Sequence, residues 1–131
     1  MDDWVLVDTC VWAPFLNNPQ LRHDSPLAQL LEDDQVAMVG PILQEILIGI
    51  RRKEQADWIA SQLEGVNWIH LQREDWINAA HLGRELAKDA KRLPAADLQI
   101  AAVALRTGCK VYSTDPHFDS FPDLSRYEPE D

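Results

Sequence analysis

The sequence predicts an α/β fold organised around a mainly parallel sheet. Short apolar runs alternate along the chain with stretches of helical periodicity, the order that parallel strands impose because each needs a crossover. The runs are continuous rather than alternating. Trp4-Val5-Leu6-Val7 is the clearest, and it suits a strand buried on both faces. Glycine and proline sit at element ends, with no repeat, low-complexity segment or linker between them.

The bulk numbers agree with one soluble globular domain, taken as residues 1–131, at 46% hydrophobic and 26% charged. Cys10 and Cys109 show no paired spacing, so a reducing compartment is expected and both read as small buried hydrophobes. The N-terminus, Met-Asp-Asp-Trp, is acidic where an export signal would be basic. No apolar run approaches the roughly 20 residues of a membrane span. A cytoplasmic protein with no membrane partner is expected.

The first strand ends at Asp8-Thr9. A short helix follows over Val11 to Leu16, closed by Asn17-Asn18-Pro19. Asp24 or Ser25 can cap the next helix, which carries Pro26 early and Leu27, Leu30 and Leu31 on one face. Val36 to Val39 reads as a second strand, stopped by Gly40-Pro41. The helix from Pro41 to about Arg52 is apolar nearly all round and is expected to be largely buried, with Glu45 inside it. A helix over Glu54 to Leu63 should turn Trp58, Ile59 and Leu63 inward. Val66 to Leu71 is a third strand candidate, and Glu74 to Lys91 a long helix carrying Trp76 and Ile77. Asp97 opens the next helix and Gly108 stops it. Lys110 to Thr114 is a fourth strand, ending at Asp115-Pro116. A short edge strand near Ser125–Tyr127 precedes an acidic, frayed tail.

Four acids stand out, each with an ordinary structural role available. Asp8 can cap a helix, Asp97 can complement a helix dipole, and Asp115 can make a side-chain turn. Glu45 can belong to a buried ion pair, although a carboxylate among apolar neighbours is costly unless paired or bound to a cation. Taken together they point further. Ligands bind outside the carboxyl ends of the strands in such a sheet, where Asp8 and Asp115 lie. Carboxylates about 4 Å apart repel by several kcal/mol even at an effective dielectric near 20, so a cluster must take up protons or cations. Oxygen-only ligands favour Mg²⁺ or Mn²⁺. A Mg²⁺ held by several carboxylates is suited to phosphodiester hydrolysis. His23, His70, His81 and His117 show no metal-ligand spacing and read as surface or packing residues, with His117 a candidate for the site rim.

Net charge works against a nucleic-acid partner. It is −10, with a pI near 4.7. The basic residues gather in two clusters, Arg51-Arg52-Lys53 and Lys88…Lys91-Arg92, which can neutralise helix C-termini or rim a site.

Asp8-Thr9-Cys10, Glu45, the run Leu93 to Ala102 and Ser113-Thr114-Asp115 with His117-Phe118 together resemble the PIN-domain nucleases, most closely VapC-type toxins of toxin–antitoxin systems. The resemblance covers essentially the whole chain. It implies an α/β/α three-layer sandwich, an endoribonuclease activity dependent on Mg²⁺ or Mn²⁺, a homodimer, an RNA substrate, and a cognate antitoxin covering the pocket. It implies that Asp8, Glu45, Asp97 and Asp115 are the metal ligands. Thr114 is then a hydroxyl supporting them, and Thr9 stands where the family often has Ser or Thr. Asp119 is a further acid near the site, outside the ligand set. Arg51, Arg52, Lys53, Lys88, Lys91 and Arg92 are candidates to rim the pocket and bind RNA.

Two other readings compete. One is a Mg²⁺-dependent phosphotransfer domain with an Asp nucleophile, although Asp8-Thr9-Cys10-Val11 lacks the second Asp of a DxD phosphatase. The other is a non-catalytic binding module of the same fold.

Overall fold

A computed structural model describes residues 3–130; Met1 and Asp2 of the acidic N-terminus and the terminal Asp131 lie outside them. Its centre is a four-stranded, all-parallel sheet flanked by helices. The strands are β1 (Val5–Val7), β2 (Val36–Met38), β3 (Asn67–Trp68) and β4 (Lys110–Tyr112), in the order β3-β2-β1-β4. Register pairs Val5 with Val36 on one side and Leu6 with Val111 on the other. Every residue of β1 and β2 is buried, the burial that continuous apolar runs require of central parallel strands.

Among the described residues seven α-helices connect and cover the strands: α1 (Thr9–Asn17), α2 (Pro19–His23), α3 (Pro26–Glu32), α4 (Gly40–Ile48), α5 (Lys53–Gln62), α6 (Arg73–Lys88) and α7 (Ala95–Thr107). Their ends follow local chemistry. The Ser25 side chain accepts the Ala28 N–H at 3.1 Å, with Pro26 at the first helical position of α3. Gly108 ends α7 in the left-handed region, at φ 78°, where a side chain would be strained. Packed against α6, α7 buries Ile100, Ala101, Ala102, Val103 and Ala104. The small side chains let this helix approach its neighbours closely.

Asp75 and Arg106 tie α6 to α7. Arg106 donates from Nε to Asp75 Oδ1 at 2.7 Å and from Nη2 to Oδ2 at 2.9 Å. The same carboxylate accepts the Gln72 N–H at 2.8 Å, closing the start of α6. Asp75 is fully buried and has every oxygen bonded, so its charge is matched where it lies.

Several expectations are corrected. The chain forms α2 between Pro19 and His23, capped by the Asn18 side chain on the Gln20 N–H, where only a stop was expected. The third strand is two residues long. Helix α4 ends at Ile48 rather than near Arg52, and it is not buried all round: Ile42 and Ile46 are covered while Ile48 is 74% exposed. On α5, Ile59 turns inward but Trp58 is 61% exposed, because residues adjacent in sequence lie 100° apart on a helix. Trp76 on α6 is 51% exposed. The expected edge strand reduces to one parallel bridge between Val111 and Arg126. The tail is docked through Tyr127, whose N–H donates to Val111 O at 2.9 Å and whose ring packs on Tyr112. Cys109 is buried as expected; Cys10 is exposed, because it occupies the turn that enters α1 at the sheet edge. No described helix is long and apolar enough to cross a membrane.

Candidate metal centre

In a sheet whose strands all run the same way, every strand delivers its last residue to one edge. Asp8 follows β1 and Asp115 follows β4, its direct neighbour. Asp97 enters from the first turn of α7, and Glu45 from the second half of α4. These two helices touch. The four acids, from segments far apart in sequence, thus converge. Asp8, Glu45 and Asp97 each offer a carboxylate oxygen within 4.8 Å of the others. Asp97, Asp115 and His117 form a second such group, sharing Asp97.

The ordinary roles are present but do not use up these side chains. Asp8 occupies the N-cap position of α1, yet its carboxylate makes no capping bond. Instead Oδ2 accepts from Ser113 Oγ at 2.8 Å and from Cys10 Sγ at 3.4 Å. Asp115 does make its turn, with Oδ1 accepting the His117 N–H at 2.9 Å at the start of a 3₁₀ turn over Pro116–Ser120. That holds the loop shape and leaves the other oxygen for the site. Glu45 makes no ion pair. It is half-buried, and its Oε1 is covered from solvent with no hydrogen-bond partner. A carboxylate oxygen so placed is costly unless a cation completes it. The residues present therefore fit a divalent cation.

The electrostatics point the same way. Burial first, then the charges of Asp8, Asp97 and Asp115, hold the Glu45 carboxyl above its usual range. Burial also raises Asp97, with Asp8 and Asp115 adding to it, against the lowering effect of its hydrogen bond to His117. His117 is raised, chiefly by that bond and further by the charges of Asp115, Asp97 and Asp8. A group of carboxylates that favours protons in the absence of metal is one that a divalent ion can discharge.

His117 is thus a member of the cluster rather than a surface residue at its rim. Its Nδ1 lies 2.6 Å from Asp97 Oδ2 and 3.3 Å from Asp115 Oδ1. Spacing alone did not reveal it, because Asp97 is twenty positions away and on another element. The supporting hydroxyl is also displaced by one residue. Ser113, not Thr114, bonds Asp8, and its Oγ accepts the Asp115 N–H at 3.0 Å as well. The Thr114 hydroxyl meets Cys10 Sγ at 3.4 Å, the sulfur that also touches Ser113 Oγ and Asp8 Oδ2, and makes no direct bond to an acid among the described residues. Thr9 Oγ1 is buried beside the site without a partner. Asp119 lies apart, paired with Arg126 at 2.9 Å.

A cavity of about 350 Å³ opens beside Glu45. Thr9, Ile46, Gly49, Arg51 and Arg52 line it with Glu45. Lys53 is outside it, paired with Asp57 at 2.6 Å. The second basic cluster does not line it: Lys88 pairs with Glu85 at 2.9 Å, and Lys91 and Arg92 lie exposed on the segment before α7.

A family model for the PIN domain matches residues 5–124. Ribonuclease VapC18 of Mycobacterium tuberculosis (strain ATCC 25618 / H37Rv) is 30% identical over 117 residues, 86% of this chain and 83% of that protein. Among solved structures, VapBC2 from Rickettsia felis, bound to a DNA fragment from its promoter, matches with TM-score 0.75 at 20% identity, over 96% of this chain and 98% of that one. Mycobacterium tuberculosis VapC20, a sarcin-ricin loop cleaving toxin, matches with TM-score 0.70 at 20% identity, over 95% and 99%. These two structures share the fold described above.

Proposed function

This chain belongs to the PIN-domain family, and we infer that Asp8, Glu45, Asp97 and Asp115 hold the divalent ion with which it hydrolyses RNA. It is a ribonuclease of the toxin type. Mg²⁺ or Mn²⁺ is the ion the donor set favours, being rich in carboxylate oxygen. The reading is supported by one observation: Asp8, Glu45 and Asp97 bring carboxylate oxygens within 4.8 Å of one another, Asp115 joins them through Asp97, and Glu45 Oε1 is a covered acceptor with no partner among the described residues.

When bound, the ion lowers the pKa of water and stabilises charge on the phosphoryl group in the transition state. The chain's own residues prepare that step. Ser113 orients Asp8 through Oδ2 and holds the Asp115 backbone, so both strand-end acids share one support. The buried start of α7 fixes Asp97 between the two groups of ligands. His117 Nδ1 and Asp97 Oδ2 hold a proton between them, which balances charge there. Arg51 and Arg52 line the cavity with Glu45, which supports a role in taking phosphates of the RNA strand. Lys53, Lys88, Lys91 and Arg92 are more distant contributors to that attraction.

The partners follow from the same reading: an RNA strand as substrate, an antitoxin protein that covers the acidic edge, and a second copy of the chain in a homodimer. The cytoplasm is where such a pair would act. The test is cleavage of RNA by purified protein with Mg²⁺ or Mn²⁺, against EDTA and against Asp97→Asn. Activity is expected only in the metal-loaded wild type. Equal cleavage by Asp97→Asn, with contaminating nuclease excluded, would remove the site.

A further inference from the structure

Beyond β2 and β3, on the same carboxyl edge as the acids, lies a cavity of about 440 Å³. Trp68, His70 and Trp76 line it, together with Gly40 and the amides of Gln44 and Gln99. We propose that this cavity is a base-stacking subsite, in which an unpaired base of the RNA strand lies against Trp68 and Trp76. The inference rests on the ribonuclease reading above and names how that site takes hold of its substrate.

Four features support it. Trp68 and Trp76 are 42% and 51% exposed, a large solvent cost for two indoles unless something flat covers them. The Trp68 ring is held in place: its Nε1 donates to His70 Nδ1 at 3.2 Å and the two rings meet edge to face. In a chain of net charge −10, no carboxylate among the described residues lines this cavity, so RNA can approach without meeting a like charge from them. Finally, the cavity and the acidic centre share two helices and one edge of the sheet: α4 carries both Gln44 and Glu45, and α7 both Asp97 and Gln99, on different faces. An RNA strand with a phosphate at the acids can run along that edge and place a base here, beside Gln44 and Gln99. Stacking on aromatic rings tolerates any base and adds affinity that does not come from charge. It answers the difficulty that an acidic protein poses for RNA binding.

The probe is a fluorescein-labelled A₁₂ oligoribonucleotide, with Ca²⁺ in place of the activating ion. Binding is followed by anisotropy and by quenching of tryptophan fluorescence. Trp68→Ala and Trp76→Ala should each weaken A₁₂ binding about 5- to 100-fold, the range set by the loss of one stacked base. Trp68→Phe and Trp76→Phe should recover most of it. Mn²⁺ affinity, read by electron paramagnetic resonance, should not change in any of them, which shows the acidic centre intact. An abasic oligomer with the same phosphates should bind wild type as weakly as A₁₂ binds the alanine variants.

Alanine variants that bind A₁₂ like wild type would overturn the subsite, as would an abasic oligomer that binds as tightly as A₁₂. A shift from dimer to monomer in sedimentation, with A₁₂ affinity unchanged, would assign this face to contact between copies instead. A double Trp→Ala variant that cuts RNA at the wild-type rate and KM removes the subsite but leaves the ribonuclease reading standing. Wild-type protein that stacks A₁₂ yet cuts no RNA removes the ribonuclease reading alone.

Discussion

His117 Nδ1 sits 2.6 Å from Asp97 Oδ2, in a cluster where Asp97, Glu45 and His117 all hold protons more tightly than usual. The ordinary values are 6.5 for the imidazole and 4.5 and 3.8 for the two carboxyls. Because all three are raised by folding, each contributes stability that is fully present below its ordinary value. Each loses that contribution as pH rises through its folded value. In EDTA, these groups should therefore lower the melting temperature as pH increases from near 4 past 6.5. Added Mg²⁺ should cancel most of the fall, since the ion takes over the charge that the protons had balanced. Melting curves with and without metal across that range check it. Calorimetry in two buffers of different ionisation heat should also show protons released on metal binding, and fewer in His117→Gln.

Ser113 supports two of the proposed ligands, Asp8 and Asp115, with one hydroxyl. Ser113→Ala should weaken Mn²⁺ binding about 10- to 100-fold, as removal of a ligand's orienting partner does elsewhere. Thr114→Ala, one residue on, should change it little, because its hydroxyl meets only Cys10. Titration of each variant with Mn²⁺ separates the two hydroxyls.

The Asp75–Arg106 pair is a structural prediction away from the chemistry. Arg106→Ala leaves a fully buried carboxylate without its cation. Breaking such a pair costs about 3–5 kcal/mol, and the partial exposure of Arg106 places this case near the lower bound. Urea unfolding should show the loss.

Ala101→Leu inserts volume where α7 meets the core with no exposure at all. Overpacking of this kind costs about 1–3 kcal/mol. The displaced helix should carry Asp97 with it and weaken metal binding too. Unfolding and Mn²⁺ titration on the same variant test the link, and unchanged metal affinity would break it.

The acids were legible in the sequence because a parallel sheet converts position at a strand end into position in space. Asp8 and Asp115 needed only the strands to be found, and Asp97 and Glu45 only their helices. His117 and Ser113 were not legible in that way. Each acts on an acid across the fold, His117 on Asp97 of α7 and Ser113 on Asp8 after β1, and no local pattern encodes such a pairing. Trp58 was misread for a related reason. Periodicity locates a face of a helix but does not say whether the protein covers it, and Trp58 lies on a face that α5 leaves open. Arg51 and Arg52 were found as a cluster, but their place in the cavity depended on α4 ending at Ile48.

The sheet order has a consequence for synthesis of the chain. Strand β1 completes its pairing only with β4, and Asp8 meets its support on Ser113 across 105 positions of sequence. Such long-range contacts form late. A nascent chain on the ribosome, or one released early, carries Asp8, Glu45 and even Asp97 without the strand that closes the site. Translation products stopped before Lys110 should therefore leave RNA uncut in a cell-free system. The ribosome that makes this ribonuclease is exposed to it only once the last strand has been added.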